Sequence, residues 1–129
     1  PHQGVEWFAR CAKSIIRVGT GEFPEAASQI LGLTTEIIPL QDPSSLHLGD
    51  TLNVRLLYRG YPVPDIPLTA LNIGNLEAPV VTRTNAVGEA EFALNHPGFW
   101  LIRSVIFVPS LEMGTRYSYW VSLTFELNL

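Results

Sequence analysis

A chain of 129 residues, 47% apolar and only 16% charged, is one domain long and able to bury a real core. Its net charge is −4 with no basic cluster, which excludes the electrostatic footprint of a nucleic-acid binder. No apolar run approaches the roughly 20 residues of a membrane helix, and the single cysteine, Cys11, excludes an internal disulfide and is expected as a buried thiol.

In "VEWFARCAKSIIRVG", Val5, Phe8, Ala9, Ala12, Ile15 and Ile16 fit a helical stripe opposite Glu6, Arg10, Lys13 and Arg17. The end of that stretch suits a strand as well, because short apolar runs are not assigned by period alone. Helix and strand therefore both stand over residues 5–18. The following "TGEFPEAASQILGLTTE" is expected as a surface connection with about one helical turn.

Strands follow. Short ones are predicted over Glu36–Leu40, Leu68–Ile73 and Val80–Thr84. From Thr51 to Tyr58, Leu52, Val54, Leu56 and Tyr58 share a face. From Glu89 to Leu94, Ala90, Phe92 and Leu94 point inward and Glu89 and Glu91 outward. The run Phe99–Pro109 is apolar on both faces, which suits a central strand. In "YSYWVSLTFEL", Tyr119, Val121, Leu123, Phe125 and Leu127 alternate with polar residues, and only Trp120 breaks the polar face.

The spacing predicts a mainly β fold, an antiparallel β-sandwich of about seven strands, over residues 35–129. Residues 1–34 form an N-terminal arm and connection, helix or strand, within a single domain overall. Asn85–Gly88 is expected as a hairpin turn, and His96-Pro97-Gly98 as a type II turn into the next strand. The shortage of charge, about 16% against about 25% in ordinary domains, leaves more apolar surface than one small sandwich hides. A partner is expected to cover part of it. The chain opens on Pro1 and ends within a strand pattern, so a piece of a longer protein is expected.

No linear constellation carries chemistry. His2, His47 and His96 lie far apart, none with a second ligand at metal-binding spacing. There is no nucleophile elbow, Cys11 has only Arg10 and Lys13 beside it, and Ser44, Ser45 and Ser104 sit in ordinary loop and strand positions. Glu89 and Glu91 share an outer face, as solvated acids do. The sequence predicts no catalytic, cofactor-binding or metal-ligating residue, and the protein is expected not to be an enzyme. One covalent possibility remains. Lys13, the only lysine, could be joined to Asn128 beside Glu36, as in the lysine–asparagine crosslinks of cell-wall adhesin domains.

The middle of the chain, "YRGYPVPDIPLTALNI" followed by "VVTRTNAVGEAEFALNHPGFWLIRSV", resembles the prealbumin-like or carboxypeptidase-regulatory-like sandwich, which is immunoglobulin-like in arrangement. That resemblance implies a fold and no activity. The purine-pathway hydrolases of this fold end in Tyr-Arg-Gly-Ser. Here Tyr58-Arg59-Gly60 is internal and the chain ends "FELNL". The intradiol dioxygenases need a His-x-His pair, which is absent.

Four segments in order, "ARCAKSIIRVG", "LGLTTEIIPLQDP", "LHLGDTLNVRLLYRGYPV" and "YWVSLTFEL", resemble the C-terminal half of a secreted bacterial family of unknown function. Its members are often labelled as periplasmic components of nickel or cobalt uptake. The resemblance implies a periplasmic or secreted location, an N-terminal β domain before Pro1 as partner, and an association with a transition metal. It transfers no ligand: members commonly carry "V-H-M" where this chain has Val105, Ile106 and Phe107, and the apolar Ile106 cannot bind metal.

Overall fold

The computed structural model describes residues 5–14, 34–109 and 115–127. They form nine strands: β1 (Val5–Ser14), β2 (Thr35–Pro39), β3 (Thr51–Tyr58), β4 (Tyr61–Pro62), β5 (Pro67–Asn72), β6 (Asn75–Arg83), β7 (Glu89–Ala93), β8 (Gly98–Pro109) and β9 (Thr115–Leu127). One 3-10 turn, Pro43–Ser45, lies between β2 and β3. No described helix is long and apolar enough to cross a membrane.

Two sheets stack as a sandwich. One has the order β1-β9-β8-β5-β6; the other places β3 between β2 and the pair β4 and β7, which share its far edge. The period-2 patterns point inward as expected. Leu52, Val54 and Leu56 of β3 meet Leu68 and Ala70 of β5, Trp100 and Ile102 of β8, and Leu123 and Phe125 of β9 in one buried cluster. Phe92 is 1% exposed, and burying such a side chain contributes about 1.5–3 kcal/mol. Two buried polar side chains tie neighbouring segments together: Ser104 Oγ donates to Pro67 O at 2.7 Å, and Asn72 Nδ2 donates to Pro97 O at 3.1 Å.

The ambiguity at the N-terminus resolves as strand over residues 5–14. β1 runs parallel to β9, from Val5 opposite Thr115 to Ser14 opposite Thr124. Cys11 is buried while Arg10, Ala12 and Ser14 are exposed, which is the alternation of a strand. Ten rungs on β9 satisfy backbone groups that a helix would leave open along the β9 edge, and this tertiary gain overrides the helical stripe. The expected connection over residues 15–33 lies outside the described residues.

One turn differs from the expectation, and both turns change sheet. Asn85–Gly88 closes locally, with Gly88 N donating to Asn85 O at 3.0 Å. It does not make a hairpin within one sheet, because β6 pairs with β5 and β7 pairs with β3. Likewise His96-Pro97-Gly98 carries the chain from β7 back to β8, across the sandwich. Gly98 has φ 96°, which suits the third position of a type II turn. Turn chemistry fixes the local reversal; which sheet receives the next strand is decided by packing.

Candidate functional site

The outer face of the five-stranded sheet carries a groove. β8 lies between β9 and β5, and its inward side chains fill the core. Its outward ones, Leu101, Arg103, Val105 and Phe107, lie on the face away from that core. Phe107 is 56% exposed and Trp120 on neighbouring β9 is 47% exposed. The apolar character of both faces of Phe99–Pro109 therefore signals a central strand with one open side, rather than one buried twice.

Cross-strand register arranges this face in rows. Arg10 lies opposite Trp120, and Trp120 opposite Val105. In the next row Ala12, Ser122, Arg103, Thr69 and Val81 follow one another across five strands. One row sets Trp120 and Val105 beside Arg10; the centre of the other sets the Ser122 and Thr69 hydroxyls on either side of Arg103. All the residues of the two rows but Val81 line an open groove of about 810 Å³. The Arg10 guanidinium lies over the Trp120 ring, 5.9 Å from its centroid. No carboxylate is among the described residues that line the groove.

A second cluster gathers all four tyrosines of the chain at the β3–β4 turn and the start of β9. Tyr58 is paired across the hairpin with Tyr61, meets Tyr119 edge-on at 5.5 Å, and Tyr119 stacks on Tyr117 at 6.4 Å. Arg59 and Gly60, at φ 49° and 83°, make the two-residue turn between Tyr58 and Tyr61, as a type I′ hairpin requires. Tyr58-Arg59-Gly60 is thus a backbone turn whose arginine lies over the Tyr58 ring at 5.4 Å. Burial holds the Tyr58 phenol above its ordinary pKa, and the adjacent Tyr119 adds to the rise, while Arg59 opposes it.

The residues singled out in the sequence do not converge. His47 is exposed, 3.7 Å from the Asp50 carboxylate, and His96 meets Asn75 at 3.3 Å at the other turn; His2 lies outside the described residues. Ser45 Oγ donates to Asp42 O at 2.8 Å, and Ser104 is committed to Pro67 in the interior; the Ser44 side chain is outside the described set. Glu89 forms an ion pair with Arg55, and Glu91 is exposed. Cys11 is buried, and Ile106 is 6% exposed within the core. Glu36 is buried on β2, whereas the Lys13 side chain and Asn128 lie outside the described residues. Among the described residues, no three His, Cys, Asp or Glu side chains cluster in a way that could hold a metal ion.

Sequence reasoning did not find the groove. Trp120 interrupting a polar face and Arg103 within an apolar run were its traces, but only register shows that Arg10 lies across β9 from Arg103.

The model of a family described as a domain of unknown function, DUF4198, matches residues 3–106. The chain belongs to the DUF4198 family. No curated protein and no solved structure matches it. The part of the DUF4198 domain matched by the family model includes Arg10, Thr69 and Arg103, and stops before Trp120 and Ser122 of β9.

Proposed function

We infer that this DUF4198 domain is a non-enzymatic extracytoplasmic binding or accessory module that works through the outer groove. One observation supports the reading above others: a face that could have been ordinary polar strand surface instead carries Trp120, Phe107 and two arginines around an open groove. Aromatic and arginine side chains dominate recognition surfaces, and their arrangement here suits holding a ligand rather than transforming one. The extracytoplasmic location and a link to nickel or cobalt uptake rest on the family resemblance.

The binding reading is tested by screening small ligands against the protein and against Trp120→Ala; ligands lost on substitution support it, and an unresponsive groove removes it. Calorimetric titration of the full-length protein with Ni²⁺ and Co²⁺ tests the metal link, which fails if no saturable heat appears. Cell fractionation tests the location. A protein-interaction role is the second reading. It is favoured by the exposed apolar side chains of edge strand β6 and its turn, Ile73, Leu76 and Val81.

A further inference from the structure

We propose that the outer groove is a site for a small organic anion with a flat apolar body. The inference rests on the binding-module reading and adds the ligand's chemistry to it. Charge complementarity carries it. Arg103 projects from the middle of the groove and forms no ion pair among the described residues. Arg10 lies across β9 from it, one row away, with its guanidinium over the Trp120 ring. With strands about 4.8 Å apart and about 3.4 Å per residue, the two Cα positions are about 12 Å from each other. That separation lets both side chains converge on one bound group above Ser122.

The rows give the ligand its shape. Arg103, Ser122 and Thr69 stand together in the polar row, where a guanidinium fork and two hydroxyls meet a carboxylate or another oxyanion. The adjoining row, Trp120 and Val105 with Phe107 beyond, offers an apolar floor and the face of an indole. A groove of about 810 Å³ falls in the range of small-molecule sites, roughly 300–1,000 Å³. The nearest described acid on this face of β9, Glu126, sits four residues beyond Ser122, so no described carboxylate lies at the groove centre beside the arginines.

The test is calorimetric titration of the protein with 2-naphthoate and with the uncharged 2-naphthylmethanol. Naphthoate is expected to bind saturably at one site and at least about tenfold more tightly than the alcohol, the effect of one charge-assisted hydrogen bond. Arg103→Gln is expected to remove that advantage and leave the alcohol unchanged, while Trp120→Ala weakens both. Arg10→Gln provides a second charge deletion, and unchanged thermal unfolding of these surface variants confirms that they fold. If naphthoate and the alcohol bind equally, and Arg103→Gln alters neither, the anion assignment is overturned while the groove stands as a binding site. If neither compound binds, the assignment is overturned, and the ligand screen with Trp120→Ala decides separately whether the groove binds anything.

Discussion

Gly88 is where backbone conformation and packing bear on the same atom, so its substitution by alanine separates two costs. Its φ of 77° lies in the left-handed region, which costs a non-glycine residue about 1–2 kcal/mol. A Cβ there would also meet Leu56 O, Pro62 Cβ and Val63 N, each at 3.0 Å. Two of those atoms are backbone and cannot rotate away, and such overpacking costs about 1–3 kcal/mol more. Gly88→Ala is therefore expected to destabilise by about 2–5 kcal/mol. Gly60 is the control. It has φ 83° and nothing within 4 Å of a built Cβ, so Gly60→Ala carries only the conformational cost of about 1–2 kcal/mol. Urea unfolding followed by far-ultraviolet circular dichroism, with linear extrapolation, measures both. Equal destabilisation of the two variants would refute the steric argument, and with it the close packing of the Asn85–Gly88 turn against β3 and β4.

Tyr58 is expected to titrate above the ordinary tyrosine value in an absorbance titration, because burial disfavours its phenolate. Its raised pKa favours the neutral phenol in the fold, so its contribution is full below the unfolded value of about 10 and is lost as pH climbs towards the folded one. Tyr119→Phe should lower that pKa; an unchanged titration would contradict the coupling. Thr84 is buried, and its Oγ1 accepts from Ile66 N at 2.9 Å. Thr84→Val leaves that amide without its partner and is expected to cost about 1–3 kcal/mol, measured by thermal unfolding; a neutral result would show that the amide finds another acceptor. Intact mass is expected to match the uncrosslinked chain, because Lys13 lies opposite Leu123 in the register, four residues short of Leu127, about 14 Å at strand spacing. Loss of one ammonia from the mass would overturn that expectation.

The strands were legible wherever alternation was long enough to choose a face. Thr51–Tyr58 was bounded correctly, and Phe99–Pro109 and Tyr117–Leu127 lie within one or two residues of β8 and β9, because inward apolar positions every second residue leave a helix no consistent face. β1 was not legible. Its short apolar residues satisfy both periods, and the deciding factor is a partner strand at the other end of the chain. The turns could be seen but not the change of sheet across them, since Asn85–Gly88 and His96–Gly98 have the chemistry of reversals whichever sheet follows. The groove was the least legible feature. Its residues come from four strands, and what makes them a site is the pairing of Arg10 with Trp120 and of Ser122 with Arg103.

The parallel pairing of β1 with β9 also sets the order in which the molecule can be completed. Every rung of that ladder joins positions more than a hundred residues apart, and β9 also forms the whole inner edge against β8. During synthesis β1 emerges before the other described strands and waits, its hydrogen-bonding edge unanswered, until β9 inserts between it and β8. Such long-range closure is slow compared with local hairpins, and an unpaired edge is a template for another chain. Protection of the early strand by a chaperone or a neighbouring domain would then affect yield more strongly than any change in the equilibrium stability of the finished sandwich.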